Sequence, residues 1–366
     1  VRLILTTDTI GGVWTFTKEL ASGLLRRGHE ICLISFGRVP SDGQQQSALD
    51  LKMMHPSSFQ YQASDLPLEW MQSNEESYTE GASLLLALDK AFGPDAYVLS
   101  QYCFGALPVS APKLIVAHSD VLSWAAACRE TLDESSPWMC TYRRLVGDGL
   151  EHADAVISPT TAYLKDLRSH FPLLPPLQQV IANGRSVKPE LQENRVLGAV
   201  TAGRLWDKAK NLRLLTERTL PMPLTIAGES DVVVQSNDEL RWVGPQGESA
   251  LMELFRRNAV YVCTSLYEPF GLTPLEAALC GCAIVAMDIP TLREVWADSA
   301  VYFHDADSLM SSLTELSNDE KKLSRLQEMS HERAATYTSS RMADAYLEVL
   351  SSLTKKNRHT VEAHAA

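Results

Sequence analysis

The chain has 366 residues, of which 45% are hydrophobic and 21% charged, and a formal net charge of −12. That length exceeds one ordinary core and predicts two domains of roughly 150–200 residues, while the composition excludes a largely disordered chain. The negative balance argues against affinity drawn from counterion release on nucleic acid, and no window reaches the ~20 apolar residues of a membrane-spanning helix.

Val1–Thr6 follows a strand pattern and not that of a secretory leader. A glycine-bearing turn then leads into a helix predicted over Val13–Arg27, with Val13, Phe16, Leu20, Leu24 and Leu25 on one face. Gly28 beyond it suits a helix C-terminus. Apolar runs at Glu30–Phe36, Ala96–Ser100, Lys113–His118, Ala153–Ser158 and Gln179–Ala182 predict further strands with helices between them, the plan of a parallel sheet. Pro172, Pro175 and Pro176 interrupt the pattern before the last of these, and the polar stretch Arg185–Asn194 is the expected hinge.

The second half repeats the design with runs at Val196–Ala202, Pro223–Ala227, Leu240–Val243, Val260–Thr264, Ala283–Met287 and Ala300–Phe303. Helix is predicted from Asp305 to about Leu353, and the polar end Lys355–Ala366 is expected to be disordered. This places a first Rossmann-like domain over residues 1–190 and a second over 191–338. The helix at about 339–353 is a candidate to pack back on the first. The seven cysteines, at 32, 103, 128, 140, 263, 280 and 282, fall mostly inside apolar runs and read as reduced, buried thiols of a cytosolic protein. Cys280-Gly281-Cys282 has the wrong spacing for a zinc site.

Parallel α/β sheets gather their functional loops at the C-terminal edges of their strands. After the first strand comes Thr7-Asp8-Thr9-Ile10-Gly11-Gly12-Val13. Its two glycines either make a tight turn or let backbone amides approach an anion or a hydroxyl. The dinucleotide fingerprint requires G-x-G-x-x-G and an acid ending the next strand. Here the glycines are adjacent and that strand ends Ser35-Phe36-Gly37, which disfavours NAD.

After the first strand of the second half stands Gly203-Arg204-Leu205-Trp206-Asp207-Lys208-Ala209-Lys210-Asn211, either a solvated basic loop or a grip on phosphate oxygens. Further on, Glu268-Pro269-Phe270-Gly271-Leu272-Thr273-Pro274-Leu275-Glu276 carries two readings as well. Thr273 as N-cap, Pro274 at the first helical position and Glu276 would complete a capping box. Alternatively Gly271 and the following amides form a helix start open to a phosphate, with Glu268 in the loop serving no capping role. Asp305-Ala306-Asp307 spells a D-x-D, but acids are expected there at the start of a helix.

The E-x7-E pair Glu268/Glu276, the segment bearing Arg204 and Lys210, Gly11-Gly12, His118 and Asn183-Gly184 together resemble the retaining glycosyltransferases of family 4. The resemblance covers nearly the whole chain. It implies an α/β GT-B fold, two Rossmann-like doubly wound parallel-sheet domains facing across a cleft, the first binding acceptor and the second a nucleotide-sugar donor. Arg204 and Lys210 would neutralise the diphosphate, helped by amides near Gly271, Leu272 and Thr273. Glu276 would accept from the ribose hydroxyls, Glu268 would contact the transferred sugar, His118 would lie near the anomeric centre, and Gly12 would border donor phosphate or acceptor. His118 also has a plainer reading, a strand-end histidine bonded to backbone. The sequence departs from the family at Asn183-Gly184-Arg185-Ser186, where Asn-Gly-Val-Asp is frequent, at Ala227-Gly228-Glu229, with one glycine in place of a glycine-rich turn, and at Ile289-Pro290-Thr291-Leu292, where a double glycine is frequent.

The expected activity is transfer of a sugar from a UDP- or GDP-linked donor to a hydroxyl of a glycan, lipid-linked or small-molecule acceptor. No cofactor and no metal are expected, retention is expected by a front-face route, and the setting is cytoplasmic with at most peripheral contact with the inner face of a membrane. Two rivals share the plan: a nucleotide-sugar 2-epimerase and a non-catalytic nucleotide-sugar or glycan-binding protein.

Overall fold

The computed structural model describes residues 1–187, 195–216, 218–231, 236, 237 and 239–365, with side chains to residue 355. The chain divides into two compact units. The first comprises Val1–Ser123, Thr131–Gly184 and Ser339–Ala366, and the second Trp124–Glu130 and Arg185–Thr338. The main crossing thus falls between Gly184 and Arg185. Of the expected hinge, residues 188–194 lie outside the described residues.

The first unit holds a parallel sheet of seven strands: β1 (Arg2–Asp8), β2 (Glu30–Phe36), β3 (Phe59–Ala63), β4 (Ala96–Leu99), β5 (Lys113–Val116), β6 (Ala155–Ser158) and β7 (Leu177–Val180). Their spatial order is β3-β2-β1-β4-β5-β6-β7. Strands β4, β5 and β6 are buried along their whole length, which is why they read as unbroken apolar runs. The edges are different. Strand β3 has the sequence Phe-Gln-Tyr-Gln-Ala with only Phe59 buried, so its polar half gave no apolar run to notice. At the other edge β7 is nowhere fully buried and lies two residues earlier than the run Gln179–Ala182 suggests.

The second unit holds a parallel sheet of six strands: β8 (Val196–Ala202), β9 (Leu224–Ala227), β10 (Leu240–Trp242), β11 (Asn258–Cys263), β12 (Ala283–Met287) and β13 (Val301–Phe303). Their order is β10-β9-β8-β11-β12-β13. All six coincide with the predicted runs to within two residues. Leu224, Val260, Val262, Val285, Phe303 and Leu313 form part of the core beneath them. The doubly wound α/β class is therefore that of both units.

The first helix, Val13–Leu25, packs against the last, Ser339–Ala365. Gly23 permits the close approach: a Cβ there would stand 2.7 Å from the Ala343 Cβ. Arg27 seals the contact through an ion pair to Asp344 at 2.7 Å. The segment from 355, expected to be disordered, instead continues the last helix to Ala365. Its lysine, glutamate and alanine content favours that, since such residues lose little on entering a helix.

Candidate functional site

In each sheet the strand order reverses once, and ligands of such sheets bind at the reversal, beyond the carboxyl ends of the strands. In the second unit the reversal falls between β8 and β11. The loop leaving β8 carries Arg204, Asp207, Lys208 and Lys210 and the loop leaving β11 carries Glu268, and the two are bonded to each other: Thr264 Oγ1 donates to the Lys210 carbonyl at 2.6 Å, and the Leu266 amide to the Ala209 carbonyl at 2.8 Å.

The two loops also meet through side chains. Lys210 Nζ lies 2.6 Å from Glu268 Oε2, which Ser265 Oγ also approaches at 3.2 Å. Burial works against the Lys210 charge, but the facing Glu268 carboxylate outweighs it and holds the ammonium above its ordinary range. Arg204 is a third exposed, pairs with Asp207 at 2.7 Å and stacks its guanidinium over the Trp206 ring at 5.0 Å. Asp207, which the sequence motif leaves without a role, has one here. Its Oδ1 accepts from the Ala209 amide at 3.0 Å and from Trp124 Nε1 at 3.2 Å, so it shapes the turn that carries both cations. An aspartate just ahead of a one-turn helix was the available signal.

The loop after β9 supports this turn. Gly228, at φ +139, presses so closely that a Cβ there would fall 1.7 Å from the Gly203 carbonyl oxygen. Its amide donates to Gly244 at 2.9 Å and its carbonyl accepts from Trp242 Nε1 at 3.1 Å. The single glycine that survives in this turn is the one that the geometry demands.

The helix Leu272–Leu279 starts differently from the capping-box expectation. Its N-cap is Gly271, not Thr273, and no side chain caps that end. Gly271 has φ +92, and a Cβ there would meet Pro274 Cγ at 2.8 Å, so both conformation and space require glycine. Thr273 lies within the first turn, and Glu276 pairs its side chain outside the helix. It is 7% exposed and forms an ion pair at 2.7 Å with Arg185 Nε, while Arg185 also reaches Glu248 at 2.8 Å. Arg185 was not picked out from the sequence as a site residue. An arginine in place of the apolar residue of a frequent family motif was the signal.

The first unit has a group of its own at the reversal between β1 and β4. Gly11 has φ +74 and Gly12 begins the helix Val13–Leu25 with no side-chain cap. His118, just past β5, meets the Phe16 ring edge-on at 4.7 Å, and its Nε2 lies 3.2 Å from Ser100 Oγ. Burial pushes the imidazole down to about 3, so it is neutral at physiological pH. The partner observed for it is thus a side-chain hydroxyl, where the plainer sequence reading expected backbone.

The remaining sequence features have structural work. Asp305 caps the helix Ala306–Asn318 in a capping box with Ser308, and Asp307 pairs with Arg218. Among the described residues no group of three His, Cys, Asp or Glu side chains is placed to hold a metal ion. Cys280 and Cys282 are buried, with the Cys282 thiol donating to the Phe255 and Asn258 carbonyls, whereas Cys140 is exposed. No described helix is long and apolar enough to cross a membrane.

Comparison with known proteins decides the family. The profile described as Glycosyltransferase Family 4 matches residues 10–188, and that of the glycosyl transferases group 1 matches residues 210–333. The chain belongs to the family 4 glycosyltransferases.

Among curated relatives, this family 4 chain is 30% identical over 194 residues to an alpha-maltose-1-phosphate synthase of Mycobacterium tuberculosis, an alignment taking in 42% of this chain and 50% of that one. It thus spans about half the length of that relative. Its fold is that of solved GT-B enzymes. Sucrose-phosphate synthase from Thermosynechococcus elongatus superposes with a TM-score of 0.78 at 15% identity, covering 97% of this chain and 99% of the other. Anabaena HepE, solved in complex with UDP and glucose, gives a TM-score of 0.71 at 16% identity, covering 96% and 99%.

Proposed function

We propose that this family 4 protein transfers a sugar from a UDP- or GDP-linked donor to a hydroxyl of a glycan, lipid-linked or small-molecule acceptor. The observation that carries the reading is the Lys210–Glu268 contact at the β8/β11 reversal, beside Arg204 and the uncapped helix start at Gly271. A diphosphate leaving group gathers negative charge as the glycosidic bond lengthens. Cations fixed in place, together with the amides of Leu272 and Thr273 at a positive helix end, stabilise that charge without reorganising. Glu268 serves the sugar hydroxyls and Glu276 the ribose.

In this reading the first unit takes the acceptor, with Gly12 and neutral His118 beside the reacting centre. A neutral imidazole offers hydrogen bonding without adding a competing cation. Retention follows a front-face course: the acceptor enters on the side from which the phosphate leaves, and a phosphate oxygen takes the acceptor proton. No carboxylate is assigned as nucleophile, because Glu268 and Glu276 are both engaged in binding. The reaction uses no metal or other cofactor. The protein works in the cytoplasm, touching a membrane at most peripherally. HepE, solved with UDP and glucose, supports a nucleotide-linked donor.

The test is a thermal-shift screen with UDP, GDP and their common sugars, followed by turnover of the stabilising donor with an acceptor panel in excess chelator. Expected are a stabilising donor, product formation that survives chelation, and an anomeric linkage of the donor's own configuration by NMR of the early product. A donor that converts to an epimer without acceptor, or that binds tightly with no turnover on any acceptor, overturns the transferase reading.

A further inference from the structure

Arg185 is the first residue of the second unit's main segment. Its backbone is fixed by donation of its amide to the Tyr337 carbonyl at 3.0 Å and by a parallel bridge to Thr338. Its side chain is 2% exposed and spans two carboxylates, Glu276 at 2.7 Å and Glu248 at 2.8 Å. Glu276 belongs to the helix Leu272–Leu279, whereas Glu248 opens the helix Glu248–Arg257 that follows the Trp242-Val243-Gly244 loop. One guanidinium therefore ties the acid assigned to the ribose to the segment that follows β10.

We propose that Arg185 is a positioning residue for the nucleoside half of the donor. A buried carboxylate without a cation beside it loses its charge or turns toward whatever donors it finds. The planar guanidinium fork, always protonated and held at its root by Tyr337 and Thr338, fixes both the charge and the orientation of Glu276. The ribose hydroxyls then meet an acceptor already in place, and little affinity is spent on ordering it. Arg204 and Lys210, in the loop after β8, serve the diphosphate separately. This inference rests on the nucleotide-binding reading above.

Calorimetry with UDP, GDP and inorganic pyrophosphate separates the two halves. R185M is expected to weaken the nucleoside diphosphate by about tenfold or more, comparable with loss of one charge-assisted hydrogen bond, and to leave pyrophosphate within about twofold. On an E276Q background the same change should add less than about twofold, because both variants remove one coupled arrangement. Equal weakening of nucleotide and pyrophosphate, no weakening of either, or full additivity with E276Q overturns the proposal. Should R185M fail to fold, E248Q decides. Glu248 is half-exposed, its loss loosens the fork from outside, and about a threefold weakening confined to the nucleotide is expected. Absence of that selective weakening overturns the proposal. If the unaltered protein binds neither UDP nor GDP, or E276Q binds them undiminished, the nucleotide-site reading itself falls, whatever Arg185 does.

Discussion

Lys210 Nζ and Glu268 Oε2 meet at 2.6 Å, joining the loops that leave β8 and β11 where the strand order of the second sheet reverses. A diphosphate would draw the ammonium, and sugar hydroxyls would take up the carboxylate. Lys210→Met leaves Glu268 poorly compensated, so urea unfolding should show a loss of about 1–3 kcal/mol. Adding Glu268→Gln should recover most of that stability and none of the turnover. If stability and turnover return together, the pair is only structural.

Arg204→Ala removes a cation that is partly exposed and held by Asp207 and Trp206. Turnover should fall on the order of 10²–10³-fold, the range for a group that meets charge developing in the transition state. Stability should change by less than about 1 kcal/mol, as for a partly exposed pair. Steady-state rates on the stabilising donor check this, and a change of only a few-fold removes Arg204 from the phosphate site.

Gly271, not Thr273, starts the helix Leu272–Leu279. Thr273→Ala should therefore cost less than about 0.5 kcal/mol, where a true threonine N-cap would cost about 1–2 kcal/mol. Gly271→Ala should cost about 1–3 kcal/mol through its positive φ and its contact with Pro274. Thermal unfolding of the two variants gives the ranking, and the reverse order would restore the capping box.

Most of the scaffold was visible in the sequence because buried parallel strands are apolar on both faces. Strands β4, β5, β6, β11 and β12 announced themselves that way, and β8, β9, β10 and β13, less fully buried, through short apolar runs between helical stretches. What escaped lay at partly buried edges, at β3 and at the start of β7. The charged loops were legible too, since Arg204, Lys210, Glu268 and Glu276 stand at strand ends or in the helix that follows. Their partners were not. Nothing in local spacing brings Arg185 to Glu276, or Asp207 Oδ1 to Trp124, because those pairings depend on how distant segments cross. The left-handed turn at Gly271 likewise yields to Thr-x-x-Glu when only the local pattern is read.

Gly228→Ala should be among the most damaging single-methyl changes in the second unit. Its φ of +139, and the 1.7 Å at which an added Cβ would stand from the Gly203 oxygen, leave no place for a side chain. A loss above about 3 kcal/mol is expected, with nucleotide affinity falling because Gly203 leads directly into the Arg204–Lys210 turn. Unchanged melting and binding would show that the two turns are free to separate.

His118 ties stability to acidity. Its folded value near 3 lies below the ordinary 6.5, so the unfolded chain binds the extra proton between those values. Its contribution is complete above about pH 6.5 and is lost as pH falls toward 3, with a slope of at most about 1.4 kcal/mol per pH unit. His118→Asn should flatten that part of the profile measured by chemical denaturation from pH 7 to pH 4. An unaltered slope would mean that the imidazole is already solvated.

The bridge between Arg185 and Thr338 has a consequence for engineering. The long segment of the second unit departs and ends at neighbouring points, a strand's width apart, so it is joined to the rest of the chain like a cassette spliced into a loop. Splicing of that kind lets one half of a catalyst be replaced by a related one without stretching the connections. Exchange of Arg185–Thr338 against the matching stretch of a relative is a direct route to learning which preferences travel with it.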